Sequence, residues 1–161
     1  MKKNTDELEA LLKETAPEQF LRQHQEELYL QEKPFAAYMR AVLASHGVKQ
    51  HNLFIRVGFA QKVGYQILSE EKRTKQRDYI LRLCIAGHLT LEETQHALRL
   101  YHMAPLYVRL PRDAVLLSAF HKGLTSIEEV DALLRAQGMN PLRSPAKKGA
   151  SSPKTASPSE E

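Results

Sequence analysis

Gln61, Lys62, Tyr65 and Gln66 fall at spacings that bring their side chains to the outward side of one short helix. Their chemistry is recognition, not catalysis. A glutamine amide donates and accepts at once and matches the edge of an adenine, while a lysine reaches guanine acceptors or a phosphate. Gln50 opens the preceding helical stretch, where its amide and the helix N-terminal N–H groups can meet a phosphate. Downstream, Lys72, Arg73, Lys75 and Arg77 make a dense cationic run that can neutralise phosphates. The expected base-reading set is therefore Gln61, Lys62, Tyr65 and Gln66. The expected phosphate-binding set is Gln50, Lys72, Arg73, Lys75 and Arg77, and the expected partner is double-stranded DNA.

Such side chains need a helix pair to carry them. Leu53, Phe54 and Val57 face inward on a helix over Lys49 to Val57, and Gly58 ends it. Val63 and Ile67 face inward on the next, over Ala60 to Leu68. In such a pair the first helix braces across the phosphate backbone and the second enters the major groove. Helical periodicity also rules the rest of the chain. Thr5 is placed to cap a helix bearing Leu8, Leu11 and Leu12, and Pro17 to open one bearing Phe20, Leu21, His24 and Leu28. Phe35, Tyr38, Met39, Val42 and Leu43 mark a helix over Pro34 to Ser45, closed at Gly47. Thr74 is placed to cap a helix reaching Gly87 whose apolar face is Ile80, Leu81, Cys84 and Ile85. Thr90–Glu93 and Thr125–Glu128 read as capping boxes, and Pro111 opens a helix to His121. The expected class is all-α. The expected divisions are an N-terminal helical segment over 1–33, a helix-turn-helix domain over 34–104, a C-terminal helical extension over 105–143 and a disordered tail over 144–161.

The composition agrees with a binding protein. The 161 residues carry a formal net charge of +4, and the positive charge is concentrated between Lys49 and Arg82. A lone cysteine, Cys84, forms no disulfide within one chain, and no apolar run is long enough to cross a membrane, so the expected location is cytoplasmic. The seven histidines are scattered with no pair four residues apart on one helix, and no cofactor or small-molecule ligand is expected. Glu92–Glu93 and Glu128–Glu129 sit in first helical turns, where carboxylates favour the helix dipole, so capping outweighs a paired-acid reading. Arg112–Asp113 reads as a local ion pair or cap. The apolar N-terminal face can dock on its own domain or form the seam of a homodimer.

Gln50, Leu53 and Gly58, followed by a helix and a charged loop, resemble the lambda-repressor-like (XRE-type) helix-turn-helix family. The wider stretch is similar to a subgroup of such regulators from Firmicute bacteria. The matching residues are Tyr65, Gln66, Ile67 and Ser69, Arg77 and Asp78, Leu91 to Gln95, Leu106 and Tyr107, and Arg112 and Asp113. The resemblance covers about residues 4 to 142 and implies a five-helix DNA-binding domain, with two N-terminal helices and a C-terminal helical pair, in a bacterial transcription regulator. The chain departs from the pattern in several ways, among them a loop one residue longer that lacks the usual proline. Ala60 stands where Ser or Thr usually caps, Gly64 where a core aliphatic is usual, and Glu70 where glycine is usual in the loop. Glu70 and Glu71 place negative charge beside the expected phosphate path. Together with the weak cap at Ala60 they support the alternative: a helical protein-interaction adaptor that keeps the fold without specific DNA binding. No constellation supports an enzyme.

Overall fold

Prolines and short polar side chains decide where the helices begin. The computed structural model describes residues 3–28 and 33–145, and among them it contains nine α-helices, one 3-10 turn at Gln25–Glu27 and no strand. The helices are α1 (Thr5–Lys13), α2 (Pro17–Gln23), α3 (Pro34–Ser45), α4 (Gln50–Val57), α5 (Gln61–Leu68), α6 (Arg77–Ala86), α7 (Leu91–Leu100), α8 (Pro111–His121) and α9 (Ile127–Ala136). Pro17, Pro34 and Pro111 each hold the first helical position, where a missing N–H costs nothing. Thr90 and Glu93 close the expected capping box on α7.

Three caps fall elsewhere than the sequence suggests. Asn4, not Thr5, opens α1, exchanging hydrogen bonds with Glu7 at 2.8 and 3.1 Å. Thr74 lies before α6, where its hydroxyl accepts from the Gln76 N–H at 3.0 Å to form a turn, and Gln76 holds the cap position. Ser126, not Thr125, caps α9, accepting from Glu129 N–H at 3.4 Å while its hydroxyl donates to Glu128 at 2.9 Å. At α1 and α9 the neighbouring Asn, Thr and Ser residues have similar capping chemistry, so tertiary packing selects among them; α6 begins without a side-chain cap.

α6 lies at the centre. Ile80, Leu81, Leu83, Cys84, Ile85 and Ala86 are all buried, more than one face of a helix can supply, because α4, α7 and α9 surround it. The same hydrophobic cluster takes in Phe35, Met39, Leu53, Val57 and Leu98 and continues through Leu116, Ala119, Ile127, Val130 and Leu134. The cluster has members on both sides of the 104/105 division.

Two Arg–Asp dipeptides lock that continuity. Arg112 donates to Asp78 through both terminal nitrogens, at 3.0 and 3.1 Å. Arg77 in turn pairs with Asp113, which is 1% exposed and also accepts from the Tyr107 N–H at 2.9 Å. The arginine beginning one helix thus holds the aspartate beginning the other. The ion pair of Arg112 is long-range, not the local one its sequence suggests.

α1 and α2 pack on each other, with the Phe20 ring 4.7 Å from the His24 ring. Phe20 and His24 are buried, but Leu21 is 55% exposed, because one residue further round turns it off that row. The tail expectation falls mainly on residues 146–161, outside the described residues.

Candidate nucleic-acid interface

The three-residue turn Gly58–Ala60 joins α4 to α5. Gly58 adopts φ 77°, a left-handed cap. Phe59 is buried and packs edge-on against Tyr79 at 5.8 Å, anchoring the turn. Gly64 explains how α5 sits so close to α4. A Cβ there would stand 2.6 Å from Phe54 Cδ1 and 2.7 Å from Cε1, so the glycine is the recess into which the Phe54 ring fits. Gly64, Ile67 and Leu68 face inward and are buried. The opposite side carries Gln61, Lys62 and Tyr65, all exposed, with Gln66 half-buried beside them. Tyr65 is 52% exposed.

Neither α4 nor α5 has a side-chain cap: Lys49 and Ala60 occupy those positions without a hydrogen bond to the helix. The first N–H groups of both helices are therefore open to an external acceptor. Gln50 and Tyr65 line one open groove, together with Lys33, Ala36, Arg40, Leu68 and Ser69. Lys33 and Arg40 belong to α3 and its cap, so local periodicity around α5 gives no sign of them.

The cationic run divides in two. Lys49, Lys62, Lys72 and Lys75 are exposed, and among the described residues none of their ammonium groups has a hydrogen-bond or ion-pair partner. The arginines are engaged within the protein. Arg73 reaches the Glu70 carboxylate at 2.5 Å and the Tyr101 carbonyl at 2.6 Å, with its guanidinium 4.0 Å over the Tyr101 ring. Arg77 donates to the carbonyls of Ala104 and Pro105, at 3.1 and 3.4 Å, besides Asp113. Arg82 joins the Val57 carbonyl at 2.8 Å to that of Leu142 at 3.1 Å, and Arg56 reaches the Ala86 carbonyl at 3.2 Å. A planar fork with five donors suits such multiple acceptors, and a lysine does not. Arg73 and Arg77 thus stand as braces of the loop, not as free cations facing outward.

Glu70 departs from its expected place too. It takes the left-handed backbone usual for glycine, φ 63°, yet its side chain is nearly buried. One carboxylate oxygen accepts from the Ala36 N–H at 3.1 Å, the third residue of α3, whose own cap residue Lys33 supplies no side-chain bond. The other oxygen takes Arg73, and Lys33 donates to the Glu70 carbonyl at 3.0 Å. Its charge is neutralised inside the fold; of the two loop acids only Glu71 is exposed.

Cys84 is fully buried, and burial pushes its thiol up to about 12, so it is a core residue rather than a nucleophile. Burial would raise the Glu93 carboxyl, but hydrogen bonds from the Thr90 backbone and from His46, 2.8 Å away, outweigh it and hold the group below the usual range. Glu93 is thus a cap tied to α3 rather than a general acid.

No protein-family model matches the chain, and no curated protein or solved structure matches it.

Proposed function

We propose that this chain is a sequence-specific binder of double-stranded DNA, a bacterial transcriptional regulator of the lambda-repressor-like type. It inserts α5 into the major groove. One observation carries the reading: Gln61, Lys62 and Tyr65 stand outside a helix whose other side is buried, next to a second uncapped helix N-terminus at Gln50 and near Lys49, Lys72 and Lys75, which like Lys62 have no partner among the described residues. Gln61 and Gln66 read base edges, and Tyr65 supplies apolar contact. Lys62 reaches a base acceptor or a phosphate. Gln50, Lys49, Lys72 and Lys75 hold the phosphates, while Arg73 and Arg77 shape the loop from within. If all four lysines displace counterions, log affinity falls with log salt at a slope of ~3–4.

The test is selection of bound duplexes from a random-sequence pool at low salt, followed by a salt titration on the selected site. Enrichment of a defined sequence is expected. Lys62→Ala should lower the slope by about one if the ammonium sits on a phosphate, and Gln66→Ala should relax preference at one position. No enrichment at low salt would reject DNA reading in favour of the adaptor.

A further inference from the structure

After α9 the chain runs back over the fold as a strap, residues 140–143, which belongs to no helix yet is fastened to three of them. Arg112 of α8 donates to the Asn140 and Pro141 carbonyls at 3.3 and 3.2 Å. Asp131 of α9 accepts from the Leu142 N–H at 2.9 Å, and Asp78 of α6 accepts from the Arg143 N–H at 2.9 Å. Leu142 is buried in the core cluster, which accounts for closing the core. It does not account for the grip on the next residue. The Asp78 carboxylate that holds the Arg143 backbone is itself fixed by both terminal nitrogens of Arg112. A backbone held in this way loses little freedom on association, so the side chain it carries is prepared for a partner.

That side chain is exposed, and among the described residues the Arg143 guanidinium has no hydrogen-bond or ion-pair partner. In this it differs from Arg56, Arg73, Arg77 and Arg82, which are engaged within the fold. Its place is set from two directions. Arg82 bridges the Leu142 carbonyl to that of Val57, the last residue of α4, so the strap borders the turn that leads into α5. Asp78 is the second residue of α6 and follows Lys75 by three positions, so the strap also borders the end of the cationic loop. Turn and loop are the two segments that flank α5 in the chain. The charge is not offset further along: from Ser144 to Ser159 the sequence holds Lys147, Lys148 and Lys154 and no acid.

We propose that Arg143 is a further phosphate-binding residue, held by the strap beside the track of Lys72 and Lys75. It adjoins the segments on either side of α5 rather than the outward side of α5 itself, so it meets the sugar-phosphate backbone and not a base edge. The inference rests on the DNA reading proposed above. It is tested with the full chain by selecting bound duplexes and titrating salt on the selected site. Arg143→Ala should lower the slope of log affinity against log salt by about 0.9 and leave the selected sequence unchanged, as loss of a phosphate contact does. Its melting should match the wild type, because the side chain has no internal partner and alanine keeps the N–H that Asp78 accepts. Arg22→Ala, which removes an equal charge from the exposed side of α2, should keep the wild-type slope. A folded Arg143→Ala variant with the wild-type slope would overturn this inference while the DNA reading stood. So would an equal fall in Arg22→Ala, which would reduce the effect to net charge, or a changed sequence preference in Arg143→Ala. A wild type that binds no duplex at low salt would instead remove the DNA reading, and this inference with it.

Discussion

Arg77→Ala should weaken the fold and leave the proposed DNA binding intact. In the structure the Arg77 guanidinium faces Asp113 and two backbone carbonyls, and its side chain is 25% exposed against 2% for Asp113. Removing it leaves a buried carboxylate whose remaining partner is the Tyr107 N–H. Breaking one side of a buried pair typically costs about 3–5 kcal/mol, a large part of the ~5–15 kcal/mol that holds a domain together. At roughly 2–4 °C per kcal/mol for a chain of this size, the melting temperature should fall by about 6–20 °C. Asp113→Ala should cost a similar amount, and the double variant should cost less than the sum by at least ~1 kcal/mol, since the two residues are in contact. Arg77→Lys should recover little, because one ammonium cannot serve the carboxylate and both carbonyls. Urea unfolding measures the stabilities. A salt titration of DNA binding, run at a temperature where every variant is folded, measures the other half: Arg77→Ala keeps the wild-type slope, whereas Lys72→Ala and Lys75→Ala each lower it by about 0.9. If Arg77→Ala melted like the wild type and lowered the slope by one, the division between bracing arginines and DNA-facing lysines would be refuted.

Gly64→Ala tests the packing of the helix pair. The new methyl meets the Phe54 ring at 2.6 Å inside the core, an overpacking cost of ~1–3 kcal/mol that exceeds the ~1 kcal/mol gained in helix propensity. The variant should therefore unfold at lower urea, and Phe54→Leu should make the same alanine nearly neutral; a stabilised Gly64→Ala would refute the close approach. Glu70→Gly relieves a left-handed backbone but removes the carboxylate that serves Ala36 and Arg73, so it should destabilise despite the gain in backbone freedom, as thermal melting will show. Burial, then the charge of Arg99, holds the His96 imidazole below its usual range, and burial, then Arg56 and His46, does the same for His88. Because the unfolded chain binds protons more readily at these two sites, their contribution is full above about pH 6.5 and is lost as pH falls from there toward the lower folded values. His96→Phe, which keeps an aromatic ring against Tyr38, should flatten the loss of stability between about pH 7 and pH 5; an unchanged profile would remove His96 from the explanation.

What the sequence discloses is what neighbours within a few residues decide. The bounds of α3 follow from Pro34 at one end and Gly47 just past the other, and the outward side of α5 follows from the period of Val63 and Ile67. The caps of α1 and α9 miss by one position because two adequate capping residues lie side by side and packing picks one, whereas Thr74 is taken up in a turn that leaves Gln76 at the start of α6 with no side-chain cap bond. The roles of the cations were hidden for a different reason. Asp113 and Tyr101, which engage Arg77 and Arg73, lie 36 and 28 residues along the chain, and a run of mixed Lys and Arg looks the same whichever residues have distant partners. Glu70 is the sharpest case. In a charged loop it reads as an exposed acid, and nothing nearby indicates that it caps a helix 34 residues away.

That division has a consequence for how the chain would choose its site. Arginine gives forked, directional contacts to guanine, and the arginines at 56, 73, 77 and 82 are committed to carbonyls and carboxylates of the fold. The lysines that remain are compact point charges on flexible stems, which attract phosphates without fixing geometry. Under the proposed function, affinity would come from Lys49, Lys62, Lys72 and Lys75 and fall steeply with salt, while discrimination would rest on Gln61, Tyr65 and Gln66. With bidentate glutamine–adenine contacts as the main directional element, the selected sites should be defined by adenines, with guanine positions weakly specified. A selected consensus dominated by invariant guanines would mean that an arginine leaves its internal partner on binding, and the first to check would be Arg73, the more exposed of the two that brace the loop.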